Sequence, residues 1–307
     1  MKILIIGGTG YIGRHLTELL LSSGHQVAVS SRNPRKVMAP PAEGYSVVRW
    51  DGKSPAQLVP HLENADAVVN LAGQNIGAIR RWTTEWKRTL LSSRVVPGEA
   101  LASAIMQCHN KPAILIQASA IGIYGTQAIH PAGEERPAGK GTLAEIVQQW
   151  EASVASLEDT PVRVVCIRTG IVLGKKSAFL SNIQIPFRFG MGVVLGNGRQ
   201  CISWIHLQDE IEAIRFLIEN PKASGPFNLS APEPVTMSRM VKTIGRIRKL
   251  PVWLNIPSFF LRMALGELAT ETILASQDAL PEALLDAGYS FRFGNIDDAL
   301  ADLLSDA

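Results

Sequence analysis

The chain has 307 residues, of which 46% are hydrophobic and 19% charged; this globular composition excludes extensive disorder and leaves room for two domains, or one large sheet domain with a lobe. A formal net charge of +3, spread rather than gathered into a run, does not imply nucleic acid as a partner. Cys108, Cys166 and Cys201 are far apart, odd in number and without metal-ligand spacing, no apolar stretch approaches the ~20 residues of a membrane span, and Lys2 leads straight into a strand with no leader pattern. The expectation is a cytoplasmic protein that meets a small-molecule substrate, with no metal, no membrane and no nucleic acid.

The apolar run Ile3-Leu4-Ile5-Ile6 reads as a strand, and Gly7-Gly8-Thr9-Gly10-Tyr11-Ile12-Gly13 follows it directly and opens a helix. Glycines 7, 10 and 13 suit a tight turn, close approach of backbone to a pyrophosphate and close packing of helix on strand, while the free N–H groups of the first helical turn face the anion. Ile12, Leu16 and Leu20 share one helical face and Gly24 supplies the stop, so the context of a dinucleotide-binding turn is complete.

A second strand spans residues 26–32. An acid at its end binds a free ribose 2′-hydroxyl, but there is none between Glu18 and Glu43; Ser31, Arg32, Asn33 and Arg35 stand there instead. An arginine bonds a 2′-phosphate with charge assistance, whereas a carboxylate repels it. NADP(H) is therefore the expected cofactor, with the alternative that Arg32 and Arg35 only solvate a loop.

Strands follow at 46–50, 67–73, 114–119 and 162–168, with helical periodicity at 95–108 and 143–157. This alternation predicts an α/β fold: a Rossmann doubly wound parallel sheet, with ligands beyond the carboxyl ends of its strands. From 175 to 201 the chain is loop-rich, with Gly190, Gly192, Gly196 and Gly198, which reads as a flexible substrate-side segment. A helix at 209–218 and a strand at 227–230 return to the sheet, and residues 231–307 form a smaller, mostly helical lobe. The expected organisation is a dinucleotide domain of residues 1–173, rejoined by 202–230, and a substrate-binding lobe of 174–201 and 231–307, with the active site in the crevice between them.

Nine segments taken in order resemble the extended short-chain dehydrogenase/reductase superfamily and, within it, the atypical "epimerase family protein" group. They are Gly7 to Gly13, Val69-Asn70-Leu71-Ala72-Gly73, Arg81-Trp82-Thr83, Ser93-Arg94, Ser119-Ala120-Ile121-Gly122-Ile123-Tyr124-Gly125, Trp150-Glu151, Arg168-Thr169-Gly170-Ile171-Val172-Leu173-Gly174, Gly196-Asn197-Gly198-Arg199-Gln200 with Ser203-Trp204-Ile205-His206, and Gly225-Pro226-Phe227-Asn228. The resemblance implies dinucleotide contacts from Thr9, Gly10, Tyr11 and Ile12, from Ser31 and Arg32 at the 2′-phosphate, from Leu71 and Ala72, and from Arg94 and Val172. It also carries the superfamily expectation of a homodimer.

The superfamily moves a substrate proton with a Tyr activated by a Lys four residues later. Aligned on that pattern, Val147 stands for the Tyr and Glu151 for the Lys, and no Tyr lies between Tyr124 and Tyr289, so shifting the frame restores nothing. General acid–base help is typically worth about 10² to 10⁴ in rate, so the loss weighs against the usual mechanism. Ser119 and Tyr124 are the nearest hydroxyls, Ala120 occupying the usual serine's place; His206 is a second candidate proton donor, and Asp209 reads as a helix cap. Arg80, Arg81, Trp82, Arg199, Gln200 and Trp204 form the candidate substrate rim, with guanidiniums for an anionic group and an aromatic face for stacking; a solvated basic face is the alternative. The loop 129–141, with Glu134 and Glu135, is read as either a lid or an ordinary surface loop. Two functions remain open: an oxidoreductase or nucleotide-sugar-epimerase-like enzyme acting on a small polar metabolite, and a non-catalytic NADP(H)-binding redox sensor or scaffold.

Overall fold

The computed structural model describes residues 1–37, 42–76, 82–126, 131 and 133–305. In chain order the first elements are β1 (Lys2–Ile6), α1 (Tyr11–Ser22), β2 (Gln26–Ser31), β3 (Tyr45–Arg49), α2 (Pro55–Leu62), β4 (Ala67–Asn70), α3 (Thr84–Gln107), β5 (Ile114–Ala120), α4 (Thr142–Ala152) and β6 (Arg163–Thr169). There follow β7 (Ile171–Leu173), α5 (Ala178–Ile183), β8 (Gly192–Leu195), β9 (Cys201–Ile202), β10 (Trp204–His206), α6 (Leu207–Glu219), β11 (Gly225–Leu229), β12 (Val235–Thr236), α7 (Met237–Arg248), β13 (Val252–Ile256) and α8 (Ser258–Leu265). A π-helical turn (Ala269–Ile273), α9 (Glu282–Asp286) and α10 (Ile296–Leu304) complete the chain.

Seven strands form one sheet in the order β11-β6-β5-β4-β1-β2-β3, every pair parallel. Because both faces are covered, the inner strands are mostly apolar and alternate residues serve opposite layers; polar side chains enter near the carboxyl ends, where buried Asn70 donates to Gln117 Oε1 at 2.9 Å. Ile3, Ile5, Val69 and Ile116 pack with Leu16 and Leu20 of α1 and Ile214 and Leu217 of α6. Leu4, Val68 and Leu115 pack with Leu58 and Leu62 of α2 and Leu101 and Ile105 of α3. The order of winding reverses between β1 and β4, which opens the sheet's carboxyl edge at that point.

β11 lies beside β6, with Phe227 opposite Ile167, so residues 225–229 sit at the sheet's edge. A second core is built by the remaining chain: Leu180, Phe187 and Trp204 pack against Met240, Val241 and Ile244 of α7 and Leu300 of α10.

Three stretches differ from the expectations. The helix expected at 95–108 begins at Thr84, capped by Thr83, whose hydroxyl accepts from Trp86 N at 3.1 Å; Pro97 lies inside it and does not end it. Trp86 and Leu90 bury against Ile146 of α4, which makes the extra turns favourable. The segment 175–201, expected as loop, contains α5 and β8. β8 pairs in parallel with β13, Leu195 opposite Ile256, so its partner arrives some sixty residues later and local composition gives no hint of it. α2, with Pro55 in its first turn and Pro60 inside, carries too many breakers to read as a helix from sequence.

Candidate functional site

At the reversal point lies a cleft of about 980 Å³. The glycine turn forms its floor: Gly10 N donates to Gly7 O at 2.9 Å, and α1 starts at Tyr11 with no side-chain cap and no acid in its first turn. The N–H groups there are left for an anion. Gly7 has φ of 78°, and a Cβ on it would lie 2.8 Å from the Leu71 carbonyl carbon; a Cβ on Gly13 would lie 2.5 Å from Gly7 O. Only glycine holds this turn so close to the end of β4.

The cleft's far end is cationic. Arg32 follows β2, and Arg14, Lys36 and Lys53 line the same space, with Ser31 and Asn33 between them. The Ser31 hydroxyl accepts from Asn33 N at 3.1 Å, which shapes the turn. Glu18 and Asp51 are the acids on this wall. Asp51 is committed elsewhere: it accepts from Lys53 N and Ser54 N, both at 2.9 Å, and from the Ser54 hydroxyl at 2.6 Å, bonds that pull its carboxyl down to about 2.

The near wall is Leu71, Ala72, Gly73 and Gln74 after β4, facing Ser92 and Ser93 of α3. Arg94 lies behind it: its Cζ is 3.4 Å from where a Gly73 Cβ would stand, and its guanidinium donates to Leu90 O at 3.0 Å and Gln74 O at 2.9 Å. The ring of Trp150 packs beneath at 4.9 Å. Burial lowers the Arg94 pKa to about 10, because among the described residues it is paired with no carboxylate. Tyr11 points the other way, its phenol reaching the backbone at Lys176 beside Gly174. Val172 sits on β7, half-buried against the first core and outside the cleft lining.

The candidate acids are tied into a network. Arg168 clasps Glu151 through both carboxyl oxygens, Nε to Oε1 at 2.9 Å and Nη2 to Oε2 at 3.0 Å, and the Ser119 hydroxyl donates to the same Oε1 at 2.5 Å. Burial opposes the Arg168 charge, and the Glu151 carboxylate beside it more than restores it. Tyr124 donates to Asn228 Oδ1 at 2.8 Å and accepts from Arg168 Nη1 at 3.0 Å. Its pKa is raised, because burial outweighs the neighbouring guanidinium. α4 contains neither Tyr nor Lys in any register; at the place expected for a cation it carries an anion, neutralised by Arg168.

His206 and Asp209 are placed elsewhere than expected. His206 is itself the α6 cap, its Nδ1 accepting from Gln208 N at 3.1 Å, with Nε2 towards Asp302 at 3.4 Å and the ring against Phe293. Burial lowers its pKa, with Asp302 and Asp209 opposing, and the ring faces α10 rather than the cleft. Asp209 does not cap α6; it accepts from Arg292 N at 2.8 Å and Phe293 N at 2.9 Å and so anchors the segment before α10.

The substrate-rim residues are dispersed. Trp204 is fully buried in the second core, its Nε1 donating to Glu233 O at 3.0 Å, so it presents no face to a ligand. Gln200 is buried and spans Leu195 O and Ile273 O, while Arg199 is exposed on the glycine loop. Trp82 packs with Trp86, Leu90 and Ile146. Arg80 and Arg81 lie outside the described residues. In the 129–141 loop, Glu134 is buried and accepts from Asn228 N at 2.8 Å and Ala283 N at 3.2 Å, which fastens this loop to the sheet edge and the lobe.

Arg14, Lys36 and Lys53 were missed in the sequence, although two could have been found. Arg14 is one turn after Gly10, on the helix end that faces the cleft, and in a parallel sheet the loop after β3 lies beside the loop after β2, which brings in Lys53. No metal-binding cluster of His, Cys, Asp or Glu occurs among the described residues, and none of their helices is long and apolar enough to cross a membrane.

Strand order, glycine turn and switch-point cleft define a Rossmann-type dinucleotide fold. The chain belongs to the NAD dependent epimerase/dehydratase family, whose sequence pattern matches residues 3–230, and a domain of unknown function, DUF1731, matches residues 256–303. It is 38% identical to Epimerase family protein YfhF of Bacillus subtilis over 309 residues, covering 100% of this chain and 99% of that one. It is 39% identical to Epimerase family protein MT2273 of Mycobacterium tuberculosis, covering 97% and 96%. Among solved structures it is similar to human epimerase family protein SDR39U1 with NADPH, with TM-score 0.89, 29% identity and all of both chains covered. A Corynebacterium glutamicum nucleoside-diphosphate sugar epimerase gives 0.77 at 30% identity, over 99% of this chain and 58% of that one.

Proposed function

We propose that the chain binds NADP(H) in the switch-point cleft and is an oxidoreductase or epimerase-like enzyme acting on a small polar metabolite. The observation that carries the cofactor choice is the cationic end formed by Arg14, Arg32, Lys36 and Lys53, where the fold places the ribose 2′ position. The NADPH of the human relative supports the same choice. Gly7, Gly10 and Gly13 shape the turn, the Gly10 N–H being donated to Gly7 O, and the first-turn N–H groups of Tyr11, Ile12 and Gly13, beside Thr9, hold the pyrophosphate; Ser31 and Arg32 hold the 2′-phosphate. Leu71 and Ala72 pack on the cofactor, Arg94 supports that wall from behind, and Val172 borders the nicotinamide end.

Bound there, the dinucleotide supplies hydride exchange. The residues orient it and exclude water; Ser119 and Tyr124, the candidate hydroxyls, are buried outside the cleft lining. Both donate their protons to protein acceptors, Ser119 to the half-buried Glu151 carboxylate and Tyr124 to the buried Asn228, so a proton delivered to a substrate would come from solvent rather than from a phenol–lysine pair. That same observation favours a second reading, a non-catalytic NADP(H) sensor. We take residues 1–173 with 202–230 as the cofactor domain, and 174–201 with 231–307 as the lobe that selects the substrate. Incubating the protein with NADPH and carbonyl compounds, and separately with NADP⁺ and nucleotide sugars, separates the two readings. An oxidoreductase oxidises NADPH as it reduces the carbonyl, and an epimerase-like enzyme converts the sugar with no net change in the cofactor. Tight binding with neither NADPH oxidation nor a changed sugar across the panels assigns the sensor.

A further inference from the structure

A proline stands inside α3 where that helix walls the cleft. Pro97 lies well within Thr84–Gln107, and a proline there has no N–H to give to the carbonyl one turn back, while its ring crowds that same oxygen. Proline is for this reason the least favourable residue in a helix interior. The carbonyl affected is that of Ser93. Ser93 and Pro97 share one face of α3, and both line the cleft, with Ser92 and Val96 beside them.

The Ser93 side chain is already saturated: its hydroxyl donates to Leu90 O at 2.9 Å and accepts from Gln74 N at 3.0 Å and from Arg94 Nη1 at 3.4 Å. What this residue has left for the cleft is its main-chain oxygen. The tight packing of α3 on the end of α4 is carried by the next residue, Gly98, where a Cβ would run into the Ser153 hydroxyl, so it does not call for a proline at 97. Pro60 of α2 is a useful contrast. It leaves the Ala56 carbonyl without a helical donor, but Ala56 and Pro60 are both exposed to water, whereas Ser93 and Pro97 are half-buried.

The facing walls are rich in donors: the glycine turn, Arg14, Arg32, Lys36 and Lys53. These suit phosphates and cannot meet the hydrogens on the adenosine half of a dinucleotide, those of the adenine amino group and the ribose 3′-hydroxyl. Of the two acids there, Asp51 is taken up by its own loop and Glu18 stands one turn along α1 from Arg14. Among the described residues the lining includes none of β5, β6 or β7, so Ser93 faces the adenosine half rather than the nicotinamide half. We propose that the Ser93 carbonyl, released from the helix by Pro97, is a binding group of the cleft that accepts a hydrogen bond from the adenosine half of NADP(H). This role presupposes the NADP(H) reading above. One helical bond is given up, and a preformed acceptor stands in the wall in its place.

Pro97→Val and Pro97→Ala test it, since both restore the N–H and the first keeps most of the bulk of the ring. Calorimetric titration uses NADPH and adenosine 2′,5′-bisphosphate, which carries the adenosine half alone. Both variants should bind both ligands about three- to tenfold more weakly than the wild type, the effect of one lost hydrogen bond, with a thermal midpoint at or above the wild-type value. Deamino-NADPH, in which a carbonyl replaces the adenine amino group, identifies the donor: the gap between wild type and variants closes if the amino group is the partner and persists if the ribose hydroxyl is. Wild-type affinity for the bisphosphate in either variant overturns the proposal, and so does a loss confined to NADPH. A lower thermal midpoint in both variants overturns it as well, because it makes Pro97 a structural residue of α3. A wild type that binds neither ligand overturns the NADP(H) reading itself, whereas tight wild-type binding matched by both variants overturns only the role of Ser93.

Discussion

Glu210 provides a quantitative test of how the sheet edge is built. It lies in the first turn of α6, fully buried, with a single bond from the Thr169 hydroxyl at 2.8 Å and no partner for its second oxygen among the described residues. Burial pushes its carboxyl from the ordinary 4.5 up to about 8, against the opposing effect of the Thr169 bond. The folded state thus holds this proton more tightly than the unfolded chain. Its contribution to stability is fully present below about 4.5 and is lost as pH rises through about 8. At about 1.4 kcal/mol per pH unit, the loss across that window is on the order of 4 kcal/mol. Glu210→Gln keeps the shape and neutrality of the protonated acid and removes the slope. In urea unfolding the variant should match the wild type near pH 5 and exceed it by roughly 4 kcal/mol near pH 8.5. A gap that does not widen with pH would refute the assignment of a buried, unpaired, protonated carboxyl.

Three further substitutions test the site. Glu151→Gln leaves the Arg168 guanidinium without its carboxylate partner, bonded only to the neutral Tyr124 hydroxyl and the Glu134 carbonyl, and should cost about 3 kcal/mol in denaturant unfolding, in the range for breaking a largely buried ion pair; a cost near zero would show that the clasp is not made in solution. Gly13→Ala drives a Cβ into the backbone of Gly7 and Gly8, so it should lower stability by about 1–3 kcal/mol and weaken dinucleotide binding by tenfold or more. Wild-type affinity in that variant would contradict the packing. His206→Ala removes a helix cap and should cost about 1 kcal/mol by thermal unfolding, with cofactor affinity unchanged; a large loss of affinity would place the imidazole at the cleft after all.

The glycine turn, the parallel sheet and the return of β11 were legible because each is a local pattern: glycine spacing, apolar runs and the alternation of strand with helix. The cationic end was half legible. Arg32 follows directly on a strand, but Lys53 reaches the cleft only through the placement of β3 beside β2. The strand pair β8 and β13 was hidden because its partners are distant in sequence, and the loop-like glycines around β8 masked it. His206 and Trp204 read as site residues on motif proximity alone; their orientation is set by α10 and the second core, contacts between segments far apart in the chain. The Glu151–Arg168 clasp is of the same kind, both residues being visible in the sequence and their pairing visible only once α4 is laid against β6.

The most direct measurement is calorimetric titration of the wild type and of Arg32→Asp with NADPH and NADH. A charge-assisted bond to the 2′-phosphate contributes about 1.5–3 kcal/mol, so the wild type should bind NADPH roughly 10- to 100-fold more tightly than NADH, and the variant should lose or reverse that preference. Equal affinity for the two dinucleotides in the wild type, or an unchanged preference in Arg32→Asp, would contradict the reading of the cleft.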